Sequence, residues 1–491
     1  MNCLNNTKQV SLFELYESIS TMSYQCPKDF LTLLKEHFDI SIFIPDSFKN
    51  AYYADLGRDR EFSIESMLSG LLIMHFLNIP SVTLLWHFLY FSKELSQEYC
   101  GFTKSIPSES VFSKFKTAFS NEIENFFHEL VKAVIPASQK LDEALPNDHP
   151  FKGASETLIY DTTGVKPVVK ENNPKYLATE VKNQKKLAKL INNPSFIPQL
   201  AAFAAMPKAA EANEKIKLDF LNGHFSYFYK FGMVTNGFGI PLYIHFFDDL
   251  NIMLDHTTYT NPKELKGASD NASLKPVLDK FFSLYPNQTF TQFLGDAEFD
   301  SFANYSYLKE NHFKKVFIPL NTRNTSETSI NTDILLNEDG IPLCPKNPSK
   351  TFKADGTCNG KKRSLRFKFI CPSAKRMGTK LVCLCDDPCS DSEKVRTYYA
   401  YPDQNFRMYP GLLRSSEEWI SRYKTRTVIE RTNASLKTNY CVTQPKSLNL
   451  KSIRSDIYLS ACTKIITVLL AYAIHKPEYI KSRAKLLKYS A

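Results

Sequence analysis

The chain has 491 residues, 43% hydrophobic and 23% charged, with a formal net charge of +10 at pH 7. That composition excludes disordered and collagen-like classes and leaves room for roughly two to four domains, or one domain with large insertions. No basic start followed by an apolar run is present at Met1-Asn-Cys-Leu-Asn-Asn-Thr-Lys, and the longest apolar stretches, 67–79 and 459–474, are broken by polar residues and too short to span a bilayer. A cytoplasmic location is therefore expected, with the eleven cysteines as reduced thiols and not a disulfide framework.

In chain order, residues 1–145 read as helical. Apolar residues recur at helical spacing over 62–76 and 82–95, separated by the breaker Asn78-Ile79-Pro80. A second break at 101–107 precedes Ser108, a candidate cap for a helix whose apolar residues are Val111, Phe112, Phe115 and Phe119. A helix, a turn and a capped helix bearing Lys114 and Lys116 fit a helix-turn-helix DNA reader; they also fit a plain helical bundle, the commoner arrangement.

After Pro150 the pattern changes. Residues 157–160 form a short apolar run expected to be a buried strand that delivers Asp161 at its end. A polar, Lys-rich segment with helical pieces extends to about Gly223. Two aromatic and β-branched runs, 227–234 and 240–247, then flank Asn236-Gly237, a hairpin signal. A helix is expected over 274–284, a strand over 289–294 ending at Gly295-Asp296, a helix over 300–309 and a strand over 316–320. Residues 322–400 interrupt this pattern, and helices return from about Glu417. The succession implies an α/β fold with a mixed sheet and a large insertion. It gives four segments: a helical domain at 1–145, a first α/β part at 150–321, the insertion at 322–400 and a second part at 401–491.

Charge is placed unevenly. Eleven Lys/Arg face one acid, Asp355, between residues 344 and 380, and fourteen face three acids from Ser421 onward. Excesses of that size suggest a polyanion, nucleic acid first, although basic surfaces also serve solubility. Within the second excess, Tyr423, Arg426, Glu430 and Lys437 stand at offsets 0, 3, 7 and 14. On a continuous α-helix they would share an arc of roughly 60°. The stripe carries what a metal-dependent phosphodiester site needs, though a solvated charged face has the same look. Asp161, Asp296 and Glu430 are separated by 135 and 134 positions. Three carboxylates with no His or Cys among them suit Mg²⁺ or Mn²⁺, and two such ions would serve phosphoryl transfer.

These surroundings resemble a family. The Tyr-x2-Arg-x3-Glu-x6-Lys spacing matches the YREK signature of bacterial insertion-sequence transposases of the DDE class, a pattern expected by chance on the order of once in a few hundred chains this long. Asp161 in Tyr-Asp-Thr-Thr-Gly looks like that family's first acid, and Asp296 in Gly-Asp-Ala-Glu-Phe-Asp-Ser resembles its second, with Phe299 and Asp300-Ser301 in the following slots. The resemblance covers roughly residues 55–475. It implies an RNase H-like catalytic core, two divalent ions bound by Asp161, Asp296 and Glu430, and Tyr423, Arg426 and Lys437 holding DNA near the cut. It further implies a homodimer on transposon ends, and the helix-turn-helix reading would place recognition of the terminal inverted repeats on the N-terminal helices, through Lys114 and Lys116. Water would cut each end, and the freed 3′-OH would attack the target. A DNA-binding descendant that no longer cuts, or a nuclease without strand transfer, are the rival readings. The hairpin excision route uses a Trp from the insertion, but here the tryptophans are Trp86 and Trp419. Stacking would fall to Phe352, Phe367, Phe369 or Tyr398. Finally, Cys344, Cys358, Cys371, Cys383, Cys385 and Cys389 cluster within 46 residues without a CxxC pair. Four of them could bind a structural Zn²⁺, and ordinary thiols are the alternative.

Overall fold

The computed structural model describes residues 28–53, 59–191, 196–221, 224–248, 269–311, 313–321, 335–337, 339–358, 364–389, 395–439, 442, 445, 447–480 and 486. The opening segment read for a signal, part of the insertion at 322–334 and the lysines at 361–362 lie outside them.

The first part of the chain is helical, as its periodicity implies: α1 (Lys28–His37), α2 (Asp46–Tyr52), α3 (Ile64–Phe76), α4 (Val82–Phe91), α5 (Glu109–Ala118) and α6 (Ser120–Glu143). Ser63 caps α3 by accepting from the Ser66 amide, and Ser81 caps α4 by accepting from the Leu84 amide. Between them Asn78 takes a left-handed φ of 58°, which Asn tolerates better than most residues. The helix expected to run to 95 stops at Phe91, and a π-helical turn, Glu94–Tyr99, follows. Ser108 sits at the N-cap of α5, but its hydroxyl makes no capping bond.

Next come β1 (Thr157–Val165), α7 (Pro174–Ile191), α8 (Pro198–Ala204), β2 (Ala209–Ala210), β3 (Asn213–Leu221), β4 (His224–Asn236) and β5 (Pro241–Phe246). They are followed by α9 (Asp270–Leu284), β6 (Gln292–Leu294), α10 (Phe302–Glu310) and β7 (Lys315–Phe317). The insertion supplies β8 (Lys353–Cys358), β9 (Arg366–Ile370), β10 (Ala374–Met377), β11 (Lys380–Cys383) and β12 (Thr397–Ala400). Three α-helices follow among the described residues: α11 (Glu417–Tyr423), α12 (Thr427–Asn439) and α13 (Leu450–Ala473). The fold is α/β with strands paired both parallel and antiparallel.

The chain forms two compact units. One comprises Met1–Ser155, Thr162–Gly267 and Glu430–Ala491; the other comprises Glu156–Asp161 and Ala268–Ile429. The N-terminal helices are therefore grouped with later segments, where the sequence suggested a separate domain. The reason lies in α13. It is apolar around most of its circumference and packs against α6, α3, α5 and α1, supplying core that those helices lack. By length and hydropathy it is the one described helix able to cross a membrane, yet 72% of its most apolar window is buried in protein. Its polar residues are matched inside the unit. Arg454 donates to the Tyr229 hydroxyl at 2.7 Å and to Asp248 at 2.8 Å, and Asp456 receives Lys116 at 2.8 and 2.9 Å. Burial alone would raise the Asp456 carboxyl, but the Lys116 ammonium and His75 more than offset it and hold it below the usual carboxylate range. The stability this pair contributes is thus present above the unfolded pKa and is lost as pH falls through the lowered one.

In the same unit the expected hairpin forms, with register from Phe231↔Phe246 to Thr235↔Pro241. Its connection is wider than a two-residue turn, because the Asn236 side chain accepts from both the Phe238 and Ile240 amides. Gly237 is needed for space: a Cβ there would stand 2.9 Å from the Ala154 Cα and carbonyl oxygen, while the Gly237 amide donates to that oxygen at 2.8 Å. Gly237→Ala is expected to cost about 1–3 kcal/mol in urea unfolding, since backbone would have to move. The segment before Gly223 also contains β3, which pairs antiparallel with β4 and was not foreseen. Its signal is the alternation of Ile216, Leu218 and Phe220 among polar residues.

In the second unit β1 pairs parallel with β6, and β6 parallel with β7. The insertion is mostly β: β12, β9 and β8 form an antiparallel sheet over a core of Cys344, Phe352, Phe367, Phe369, Ala400, Met408 and Tyr409. Asp300, fully buried, receives Arg407 through two bonds of 2.8 and 2.7 Å and the Asn321 amide at 2.7 Å. Arg414 is likewise buried and donates to Ile318, Met408, Tyr305 and Arg407. Asp300 does not begin a helix: α10 starts at Phe302, capped by Ser301.

Candidate active site

β1 is buried along its length except at Asp161 and Thr162. The strand continues to Val165, so Asp161 lies within it and not at its end; Thr162, Thr163 and Val165 are β-branched and keep the backbone extended. The parallel pairing stops earlier, however, at Ile159↔Leu294. Asp161 is two residues past Ile159, and Asp296 is two residues past Leu294. With side chains alternating at period two, both acids continue the faces of a matched pair on neighbouring strands. Tyr160 points the other way and anchors the register. Its ring meets Phe299 at 5.2 Å, and its hydroxyl lies 2.7 Å from Ser273, whose own proton goes to the Asp270 carbonyl.

Asp296 follows Gly295 and opens a 3₁₀ turn, Ala297–Phe299, accepting from the Ala297 amide. A Cβ at Gly295 would press on Phe293 and Phe299 at 3.1 Å, so glycine lets the chain turn tightly over the strand end. One guanidinium bridges the two acids: Arg426 Nη2 lies 2.8 Å from Asp296 and 3.6 Å from Asp161. Asp296 is the more open, at 43% side-chain exposure against 17% for Asp161. Two adjacent carboxylates thus share one cation, half accessible to solvent.

The stripe at 423–437 is not one helix face. α11 ends at Tyr423, residues Lys424–Arg426 form a 3₁₀ turn, and α12 begins at Thr427. The tighter turn, about 120° per residue against about 100°, breaks the alignment that a continuous α-helix would give. Tyr423 stacks on Trp419, one turn back on α11, with centroids 4.9 Å apart and planes at 15°. Trp419 in turn is buried against Phe317 of β7. Sequence reasoning missed this support, although the i, i+4 spacing of the two rings was available. Glu430 is exposed in the first turn of α12. Further along α12, Lys437 donates to the Thr163 hydroxyl of β1 at 2.5 Å, and Thr432 donates to the Gly239 carbonyl at 3.0 Å. The boundary between the two units passes through α12 at Glu430 and through β1 after Asp161.

Other expected residues fare differently. Lys114 is exposed on α5. Lys116 is 5% exposed and committed to Asp456, so it is a structural cation and not a displayed DNA contact. Phe352, Phe367 and Phe369 are core residues of the insertion and cannot offer a free ring; Tyr398 alone of the four is half-buried.

The family model described as Transposase domain (DUF772) matches residues 20–118. The match supports a transposase family. It spans the N-terminal helices through α5 and ends before Asp161. No curated protein matches the chain.

Proposed function

We propose that the chain is a DNA transposase of the DDE class, cutting and joining strands at the ends of a bacterial insertion sequence with an RNase H-like core. The observation that carries this reading is the placement of Asp161 and Asp296 two residues beyond the last parallel pair, with one cationic group between them. Asp296 stands just past its strand, where ligand groups gather in α/β folds, and Asp161 occupies the matching position within β1 beyond the last parallel pair. The donors fit Mg²⁺ or Mn²⁺: Asp161, Asp296 and Glu430 are all oxygen ligands, and positive charge is already accommodated between the first two. When bound, two such ions supply activation of the attacking oxygen and stabilisation of the leaving one.

The remaining roles belong to the chain's own groups. Arg426 suits bidentate contact with a phosphate, Lys437 is a point charge, and Tyr423, backed by Trp419, offers a ring held at a fixed tilt for a terminal base. Lys114 and the helices around it would bind the inverted repeats. The basic stretch at 344–380 would contact DNA backbone without reading sequence. The working form would be a homodimer pairing two ends in the bacterial cytoplasm, at the nucleoid.

The test is incubation of the full chain with a plasmid carrying the element between its own ends, with Mg²⁺ or with chelator. Cleavage at the ends in Mg²⁺, followed by joining of the 3′ ends to a target plasmid, is expected. Cleavage without joining would favour a nuclease, and end binding without cleavage a non-catalytic descendant; either result overturns the proposal.

A further inference from the structure

The insertion carries a second constellation, independent of the acids and of the transposase reading. Cys371, Cys383 and Cys385 bring their three sulfurs within 4.8 Å of one another. Two turns of backbone build this. Cys371 stands just before a tight bend in which the Ala374 amide donates to the Cys371 carbonyl at 3.0 Å. β10 and β11 then form a hairpin through Gly378, with φ of 58°, and Cys383 lies directly opposite Ala374. The Leu384 amide donates to the Ser373 carbonyl at 3.1 Å, so the strand is still pinned as it delivers Cys385. The chain then continues through Asp387, whose exposed carboxylate pairs with Lys346 at 2.8 Å, to Cys389.

Tetrahedral zinc with bonds of about 2.3 Å places thiolate sulfurs roughly 3.8 Å apart, within the span observed here. All three thiols are free, and no disulfide joins them. The hydrophobic support around them is small: Ile370, Cys371, Ala374 and Val395 are the buried residues, with Leu381, Cys383 and Cys385 packed on them. A module with so little core is of the kind that a structural metal completes.

We propose that Cys371, Cys383 and Cys385, with Cys389 as fourth ligand, form a closed structural zinc site that fixes the β10–β11 hairpin. Cys344 and Cys358 are excluded by place. Cys344 belongs to the separate core beneath β8, β9 and β12, and Cys358 ends β8 paired with Arg366. Four thiolates leave no open position, so the role is folding and not catalysis.

The full chain, purified under reducing conditions from zinc-supplemented cells, should contain about one zinc per chain by elemental analysis. Cys385→Ser and Cys389→Ser should each lower this at least fivefold, and Cys344→Ser should leave it unchanged. If Cys371→Ser fails to fold, Co²⁺ exchange into the unaltered protein provides a second readout: tetrahedral thiolate–cobalt absorption is expected, and should be lost in Cys385→Ser. Less than about 0.2 zinc per chain with no cobalt spectrum, iron in place of zinc, or equal metal content in Cys385→Ser and the parent would each overturn the assignment.

Discussion

Asp161→Ala and Asp296→Ala are each expected to abolish strand cleavage while leaving DNA-end binding intact. Under the proposed assignment either change removes a ligand from charge stabilisation made chiefly in the transition state. A loss of about 10³-fold or more follows, corresponding to roughly 4 kcal/mol. Binding should survive because the two acids repel a phosphate backbone and contribute nothing attractive to it. It should even tighten slightly, since Arg426 is then released from the carboxylate it shares at 2.8 or 3.6 Å. Asp161→Asn and Asp296→Asn separate charge from shape and should be equally inactive. Glu430→Ala should match them in cleavage, with less effect on Arg426. Cleavage at a normal rate in any one variant, measured on labelled ends at saturating protein, removes that residue from the site.

The second large effect concerns stability. Asp300→Ala is expected to destabilise the second unit by about 3–5 kcal/mol, because it strands the buried Arg407 guanidinium. The cost should fall when Arg407→Met is added, since the uncompensated charge then disappears. Guanidinium unfolding in a Trp86→Phe background leaves Trp419 as the reporter of this unit, and additive losses in the double variant would rule out the coupling. Asp300 stood in the motif after Asp296, and its place in the fold explains why an acid is useful there. It ties the segment bearing Arg407 to the turn that carries Asp296.

Much of this was readable from residue patterns. The strands at Asp161 and before Asp296, and the helix carrying Glu430, were legible because apolar runs and helical spacing need only local information. The alternation of β4 and β5 around Asn236 was equally local. Other features depend on packing at long range. Nothing near Lys116 shows that Asp456, 340 residues later, will claim it. The 3₁₀ turn at Lys424–Arg426 carries no proline or glycine to announce it. Phe352, Phe367 and Phe369 looked available because the insertion's composition is polar, yet a small sheet has to bury something, and these are its largest apolar groups. β3 carries a local signal too, the alternation of Ile216, Leu218 and Phe220, but it is set among lysines that give the segment a polar look.

The dependence of the N-terminal helices on α13 sets a schedule for synthesis. The helices that lean on α13 for their core emerge from the ribosome first, and α13 emerges more than three hundred residues after the start of α6. At translation rates of about 5–20 residues per second, their apolar faces wait tens of seconds for a partner. A product that stops before Leu450 never receives it. Premature termination should therefore yield chains that aggregate or are degraded, not a stable fragment able to occupy DNA ends and block the full-length protein.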